Sequence, residues 1–172
     1  LYTMSIKFQK HTNNSQEFFQ ILPLDWQEAL HMVWDKAKAT SEIYVIKEED
    51  EIIAGGILFK QYTQDMALLK KTAKQLLASN CYYIGYLWVN ETHRGKDLGT
   101  FWLNSIKNAY PKNNFWLTIE EENLQKFYIK NGFELVDYEW LVQKSFTPRQ
   151  INRLTSIKGD VLVTFQKASI IE

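Results

Sequence analysis

Tyr82-Tyr83-Ile84-Gly85-Tyr86-Leu87-Trp88-Val89, followed by Asn90-Glu91-Thr92-His93 and then Arg94-Gly95-Lys96-Asp97-Leu98-Gly99-Thr100-Phe101, is the stretch that decides how this chain folds. Its first eight residues carry no charge and are aromatic, aliphatic or glycine, the composition of a strand buried on both faces. The last block sets Gly95, Gly99 and Thr100 where an amphipathic helix begins. A buried strand that feeds a glycine-bearing turn and a helix N-terminus leaves backbone N–H groups without intrahelical acceptors, with the positive end of the helix dipole behind them. Such a place binds anions, phosphate above all. On turn chemistry alone, an ordinary tight turn accounts for the same residues.

Val89 to Thr100 resembles the acyl-CoA-binding motif of the GNAT superfamily of N-acyltransferases. There an Arg or Gln, two further residues, Gly, any residue, and Gly or Ala wrap the pyrophosphate of coenzyme A. Arg94 opens the motif here, Gly95 and Lys96 follow, Asp97 stands where the family has its first glycine, and Gly99 closes it. Asp97 is the departure, and a helix-start position should accept it with the side chain turned away. A second segment, Asn123-Leu124-Gln125-Lys126-Phe127-Tyr128-Ile129-Lys130-Asn131-Gly132-Phe133, is similar to the family's other signature. In that signature an Asn opens a helix that carries a Tyr, and a Gly-Phe pair ends it. The resemblance covers residues 43 to 143 well and the two ends by pattern only.

It implies an α/β fold: a mixed, mostly antiparallel sheet flanked by helices, as one domain over residues 4 to 172. It implies an acetyltransferase that takes acetyl-CoA as cosubstrate and an amine as acceptor, without a metal. The cradle for the diphosphate would be Arg94, Gly95, Lys96, Asp97, Leu98, Gly99 and Thr100, with Asn123 at the start of the later helix. The strand edge at Leu87, Trp88 and Val89 would serve the pantetheine arm and the thioester carbonyl. Tyr128 matches the family's general acid. A phenol of pKa about 10 stays protonated at neutral pH and can protonate a thiolate of pKa about 8.5. Tyr128 also reads as a core residue beside Phe127 and Phe133.

The base is harder to place. An alkyl ammonium of pKa about 10.4 must lose a proton before it attacks. Many relatives use a glutamate on the central strand, and Tyr82 to Val89 holds no acid. Glu120 leads the remaining candidates, with Glu121, Glu122, Glu91 and His93, although acids before a helix are favourable for structural reasons alone. Cys81 lacks a paired base, and His11, His31 and His93 show no metal-ligand spacing.

Composition bounds these readings. The 172 residues are one domain's length and enough for a substantial core. Twenty basic and twenty acidic residues cancel, so charge favours neither nucleic acid nor an anionic membrane as partner. A lone cysteine excludes an internal disulfide and fits a reducing, cytoplasmic setting. No apolar run approaches the ~20 residues of a membrane span, and no charged-then-apolar leader opens the chain. A homodimer is left open.

Taken in order, residues 5 to 10 read as a strand, and Asn14-Ser15 caps a short helix through Leu22 that Pro23 stops. Asp25 caps a helix with Trp26, Ala29, Leu30, Val33, Trp34 and Ala37 on one face. Residues 43 to 47 and 52 to 60 form a hairpin about the acidic turn 48 to 51, with Gly55-Gly56 marking a bulge or a close neighbour. Residues 64 to 79 read as a helix inserted before the central strand, either covering a sheet edge or acting as a lid over the acceptor. Later come a helix from Gly99 that Pro111 ends, a strand 115 to 120, a helix capped by Asn123 and closed by Gly132, strands 136 to 143 and 161 to 167, and a short helix from Thr147-Pro148. Two further readings stand beside the enzyme: a non-catalytic acyl-CoA-binding regulatory module, and an interaction protein with no CoA site. The acceptor side should lie near residues 20 to 30, 64 to 79 and 145 to 158.

Overall fold

The computed structural model describes residues 5–119, 121, 123–137 and 159–164. Its elements run β1 (Ile6–His11), α1 (Gln16–Phe19), α2 (Leu24–Ala37), β2 (Ser41–Glu48), β3 (Glu51–Phe59), α3 (Lys70–Ala78), β4 (Cys81–Val89), α4 (Leu98–Ala109), β5 (Asn114–Ile119), α5 (Asn123–Lys130), β6 (Phe133–Asp137) and β7 (Asp160–Thr164). Short 3₁₀ turns at Lys38–Thr40, Gln64–Leu69 and Glu91–His93 join them. The strands form one seven-stranded sheet in the order β1-β2-β3-β4-β5-β7-β6. From β1 to β4 every ladder is antiparallel, and β4 to β5, β5 to β7 and β7 to β6 are parallel. The sheet is mixed as expected, with antiparallel pairing confined to its first half.

Alternation along the central strands splits the core in two. Ile43, Val45, Ile57, Phe59, Tyr83 and Trp116 face α1, α2, the 3₁₀ stretch Gln64–Leu69 and α3, which supply Phe18, Phe19, Leu30, Val33, Met66, Leu69 and Ala73. Tyr44, Ile46, Ile53, Ile84, Phe115 and Leu117 face α4 and α5, which supply Leu98, Trp102, Leu103, Ile106 and Tyr128. A sheet covered on both faces needs strands with apolar middles, and β2 from Ile43 to Ile46, β3 from Ile52 to Phe59 and β5 from Phe115 to Leu117 supply them. In β4 only Cys81 and Tyr83 to Gly85 are buried, and Tyr82 and Tyr86 to Val89 are half-buried. The expectation of a strand buried on both faces therefore fails at the end that approaches the glycine turn.

The Gly55-Gly56 bulge is present with a different owner. Gly55 pairs with Trp88 and Ile57 with Gly85, so Gly56 opposes both Tyr86 and Leu87. The extra residue belongs to β4, where Tyr86 takes φ +58°. Close neighbours explain the glycines themselves: a Cβ on Gly55 would sit 2.5 Å from the Phe18 ring, and one on Gly56 2.7 Å from Trp102. Trp102 packs against Gly56 of β3, and its indole N–H donates to the Tyr44 carbonyl of β2 at 3.0 Å.

Several boundaries move. α1 is a single turn opened by the Asn14 side chain, which accepts from the Gln16 N–H at 3.0 Å. Asp25 does not cap α2, which starts at Leu24 behind Pro23. Proline fixes the φ of that position and the helix simply follows it. The inserted segment divides into a 3₁₀ stretch and α3 rather than one helix. Asn123 is the first helical residue of α5, and Gly132 beyond its end takes φ +91°. The helix expected at Thr147-Pro148 and the outer parts of the last two strands lie outside the described residues.

Candidate functional site

β4 and β5 are paired only through Cys81, Tyr82 and Tyr83 against Asn114, Phe115 and Trp116. Beyond that point the strands part, and the edge of β4 from Ile84 to Val89 that faces β5 has no strand partner among the described residues. Its N–H and C=O groups are therefore free to pair with an extended guest. The floor of the gap is polar. Tyr83 Oη and Thr118 Oγ1 lie 2.9 Å apart across it, and the Tyr83 ring packs on Trp116 with centroids 4.5 Å apart.

At the far end of β4 the chain turns through Glu91–His93 and enters α4. The His93 N–H goes to Asn90 and the Arg94 N–H to Glu91, while the Phe101 N–H returns to Asp97 as the first bond of the helix. Between them, the N–H groups of Gly95 to Thr100 find no backbone acceptor outside the helix among the described residues. Two left-handed residues curl this segment, Gly95 at φ +77° and Asp97 at φ +58°. Alternation of left- and right-handed residues turns successive N–H groups inward into a concavity for an anion. A Cβ on Gly95 would meet nothing within 4 Å, so the concavity opens to solvent there.

Asp97 departs from the motif in side chain while keeping the backbone that a glycine would favour. Asp is among the few residues that enter the left-handed region at small cost. It sits at the cap position of α4 without a side-chain capping bond. Gly99 has a second reason to be small: a Cβ there would come 2.8 Å from the tip of the Phe127 ring. That contact docks α5 on the first turn of α4 and carries Tyr128 with it.

Arg94 folds back along the strand it follows. Its Nε donates to the Val89 carbonyl at 3.1 Å, and its guanidinium lies 4.5 Å above the Trp88 ring. Strand end and turn are thereby tied together. Tyr128 is buried between Phe127 and Phe133, with centroid distances of 5.0 and 5.5 Å. Burial, and then the nearby Tyr83 phenol, hold its hydroxyl well above the usual tyrosine range. The residue is thus part of the core, within electrostatic reach of Tyr83.

The base candidates separate. Glu120 and Glu122 lie outside the described residues, and Glu121 is exposed before α5. Glu91 is exposed, and His93 faces the β2–β3 hairpin, 3.8 Å from Glu48. Cys81 is buried, and desolvation followed by the Asp160 charge pushes its thiol up to about 12, which removes it as a nucleophile. The sequence alone assigns no role to Asp65 or Tyr86. Tyr86, left-handed at the bulge, donates its hydroxyl to Asp65 Oδ2 at 2.7 Å. The signal was available in part: a helix inserted directly before the central strand must pack on it, and Asp65 precedes the buried Met66.

A cavity of about 530 Å³ opens elsewhere, where β1 ends and β2 begins, among Lys10, His11, Trp34, Ser41, Glu42 and Lys60. No residue of the 94–100 turn or of β4 lines it. The open gap beside β4, not this cavity, carries the motif and the unpaired backbone.

The family model described as "Acetyltransferase (GNAT) family" matches residues 10–133. The chain belongs to the GNAT acetyltransferase family. Solved structures share its fold at low identity. A protein from Pyrococcus horikoshii is 18% identical with a TM-score of 0.56, over 83% of this chain and 93% of that one. A predicted acetyltransferase from Clostridium acetobutylicum, solved with acetyl-CoA, is 17% identical with a TM-score of 0.53, over 76% and 90%. A GNAT family acetyltransferase from Elizabethkingia anophelis, with acetyl-CoA bound, is 17% identical with a TM-score of 0.50, over 77% and 78%. No curated protein sequence matches significantly. Within this GNAT chain, no helix of the described residues is long and apolar enough to cross a membrane.

Proposed function

We propose that this GNAT domain transfers an acetyl group from acetyl-CoA directly to a primary amine. The observation that carries the reading is the coincidence of two unsatisfied backbone arrays, the free edge of β4 and the N–H groups of residues 95 to 100, joined at Val89 by Arg94. Coenzyme A is a diphosphate followed by an extended amide-bearing arm, and those arrays have matching chemistry in matching order. The diphosphate lies on the N–H groups of Gly95 to Thr100 with the α4 dipole and the Lys96 charge behind it. The arm pairs with β4 as an added strand, and an N–H in Leu87 to Val89 polarises the thioester carbonyl. A preorganised donor at that oxygen is the larger catalytic contribution in acyl transfer.

Tyr128 supplies the proton to the departing thiolate. Its burial keeps the phenol protonated across the neutral range. Free-thiol release from acetyl-CoA across a panel of primary amines tests the reading. Turnover is expected, and Tyr128→Phe should lower kcat by roughly 10²-fold or more with acetyl-CoA binding retained. Binding without thiol release from any amine would favour a non-catalytic module. Unchanged turnover in Tyr128→Phe would withdraw that residue's role.

A further inference from the structure

β4 carries no acid, and the inserted segment brings one to it. The 3₁₀ stretch Gln64–Leu69 is anchored by Met66 and Leu69, which are 3% and 4% exposed in the core. Between those anchors and β3 stands Asp65, its Oδ2 accepting from Tyr86 Oη at 2.7 Å. Tyr86 immediately precedes Leu87 on the strand whose free edge takes the acyl donor. On the same face, Trp26 of α2 packs against Tyr86 and Trp88, with ring centroids 5.9 and 5.4 Å apart. These rings are only half-buried, so an aromatic wall reaches solvent next to a carboxylate. The opposite face of the sheet is closed by α4 and α5.

We propose that Asp65 receives the primary ammonium of the acceptor and removes its proton, with Trp26 and the edge of Tyr86 as the wall along which the carbon chain lies. The assignment rests on the acyl-transfer reading above. A carboxylate beside aromatic rings recognises an alkyl cation by charge and by the ring quadrupole together. Arg94 already covers Trp88 at 4.5 Å, which leaves Trp26 and the Tyr86 edge for the incoming chain. Desolvation raises the Asp65 carboxyl above its ordinary value, and the Tyr86 hydrogen bond works against that rise. Tyr86 is the titratable group that acts on it; Lys70 and Lys74 lie over Tyr62 instead.

The protons balance in four moves. Asp65 takes one proton from the ammonium, and the neutral amine attacks the thioester carbon. The C–S bond breaks as the C–N bond becomes an amide. The thiolate takes the Tyr128 proton, and the second proton on nitrogen restores the phenol. Asp65 then releases its proton to solvent.

The test is Asp65→Asn in the full chain, assayed from pH 6.5 to 10 with n-butylamine and with a lysine-containing peptide, the two sources of a primary alkylammonium. At neutral pH, kcat/KM should fall by about 10²-fold in whichever arm the wild type turns over, with the acetyl-CoA thermal shift unchanged. The loss should recover as the pH nears the amine's own pKa, about 10.4, where free amine needs no base. Tyr86→Phe should move the acid limb of the wild-type profile to higher pH, because it removes a donor to the charged carboxylate. Unchanged turnover in Asp65→Asn, or a loss that alkaline pH does not recover, would overturn the assignment while leaving acyl transfer standing. A wild type that binds acetyl-CoA but accepts neither amine would overturn it too. A wild type with no acetyl-CoA thermal shift would overturn the acyl-transfer reading and this assignment together.

Discussion

At Gly95 the backbone takes φ +77° and an added Cβ would meet nothing within 4 Å, so Gly95→Ala strains only the dihedral. That costs about 1–2 kcal/mol and turns the amides of the nest away from an anion. Weaker acetyl-CoA binding by titration calorimetry should therefore exceed what the small loss of melting temperature suggests. Gly99 behaves differently, because its Cβ would strike Phe127 at 2.8 Å. Gly99→Ala should cost about 1–3 kcal/mol by overpacking, and Phe127→Leu in the same chain should return part of it. Asp97 is legible in advance only as a departure from the motif; its left-handed φ of +58° explains why the family prefers glycine there. Asp97→Gly should relax that residue and remove a carboxylate from beside the diphosphate, tightening acetyl-CoA in the same calorimetric assay. Tyr86 and Asp65 were not legible, since a tyrosine in an uncharged strand and an acid at the start of a helix each have ordinary readings. Only the bulge that puts Tyr86 at φ +58° brings them together.

Elements were read well wherever burial follows a period. The paired aliphatic runs of β2 and β3, the two-face alternation and the amphipathic faces of α2 and α4 all follow from residue type. Helix starts were read less well. Pro23, not Asp25, precedes α2: the helix starts at Leu24, so Asp25 falls inside its first turn instead of ahead of it. The edge of the sheet held a further surprise in Glu42, which sits with Lys10 at 2.9 Å, Lys60 at 3.0 Å and the hydroxyls of Tyr44 and Tyr110. Burial opposes its charge, yet hydrogen bonds from Tyr110, Lys10, Lys60 and Tyr44 outweigh it and hold the carboxyl at about 2 instead of 4.5. A folded pKa below the unfolded one contributes stability above the unfolded value, and that contribution is lost as pH falls toward the folded value. The melting-temperature gap between wild type and Glu42→Gln should therefore be constant above pH 5 and close between about 4.5 and 2.

Across the whole molecule, one mechanical fact positions the site. Two helical layers close on a sheet whose middle strands share three residue pairs and then separate. Trp102, fully buried and bonded to the Tyr44 carbonyl, fixes α4 on the antiparallel half, so the glycine turn is held at the mouth of the gap. Trp102→Ala should cost about 3–5 kcal/mol in denaturant unfolding, and with it the register of the turn. That β4 and β5 part so early could not be read from sequence, because separation depends on how far two distant segments stay in register. The central claim is that acetyl-CoA lies along β4 with its diphosphate on residues 95 to 100. Amide chemical-shift mapping of the ¹⁵N-labelled chain titrated with acetyl-CoA tests it most directly. The largest shifts should fall on the N–H groups of Gly95 to Thr100 and of Leu87 to Val89; saturation with those amides unmoved, or with shifts gathered around the Lys10, Ser41 and Lys60 cavity instead, would contradict it.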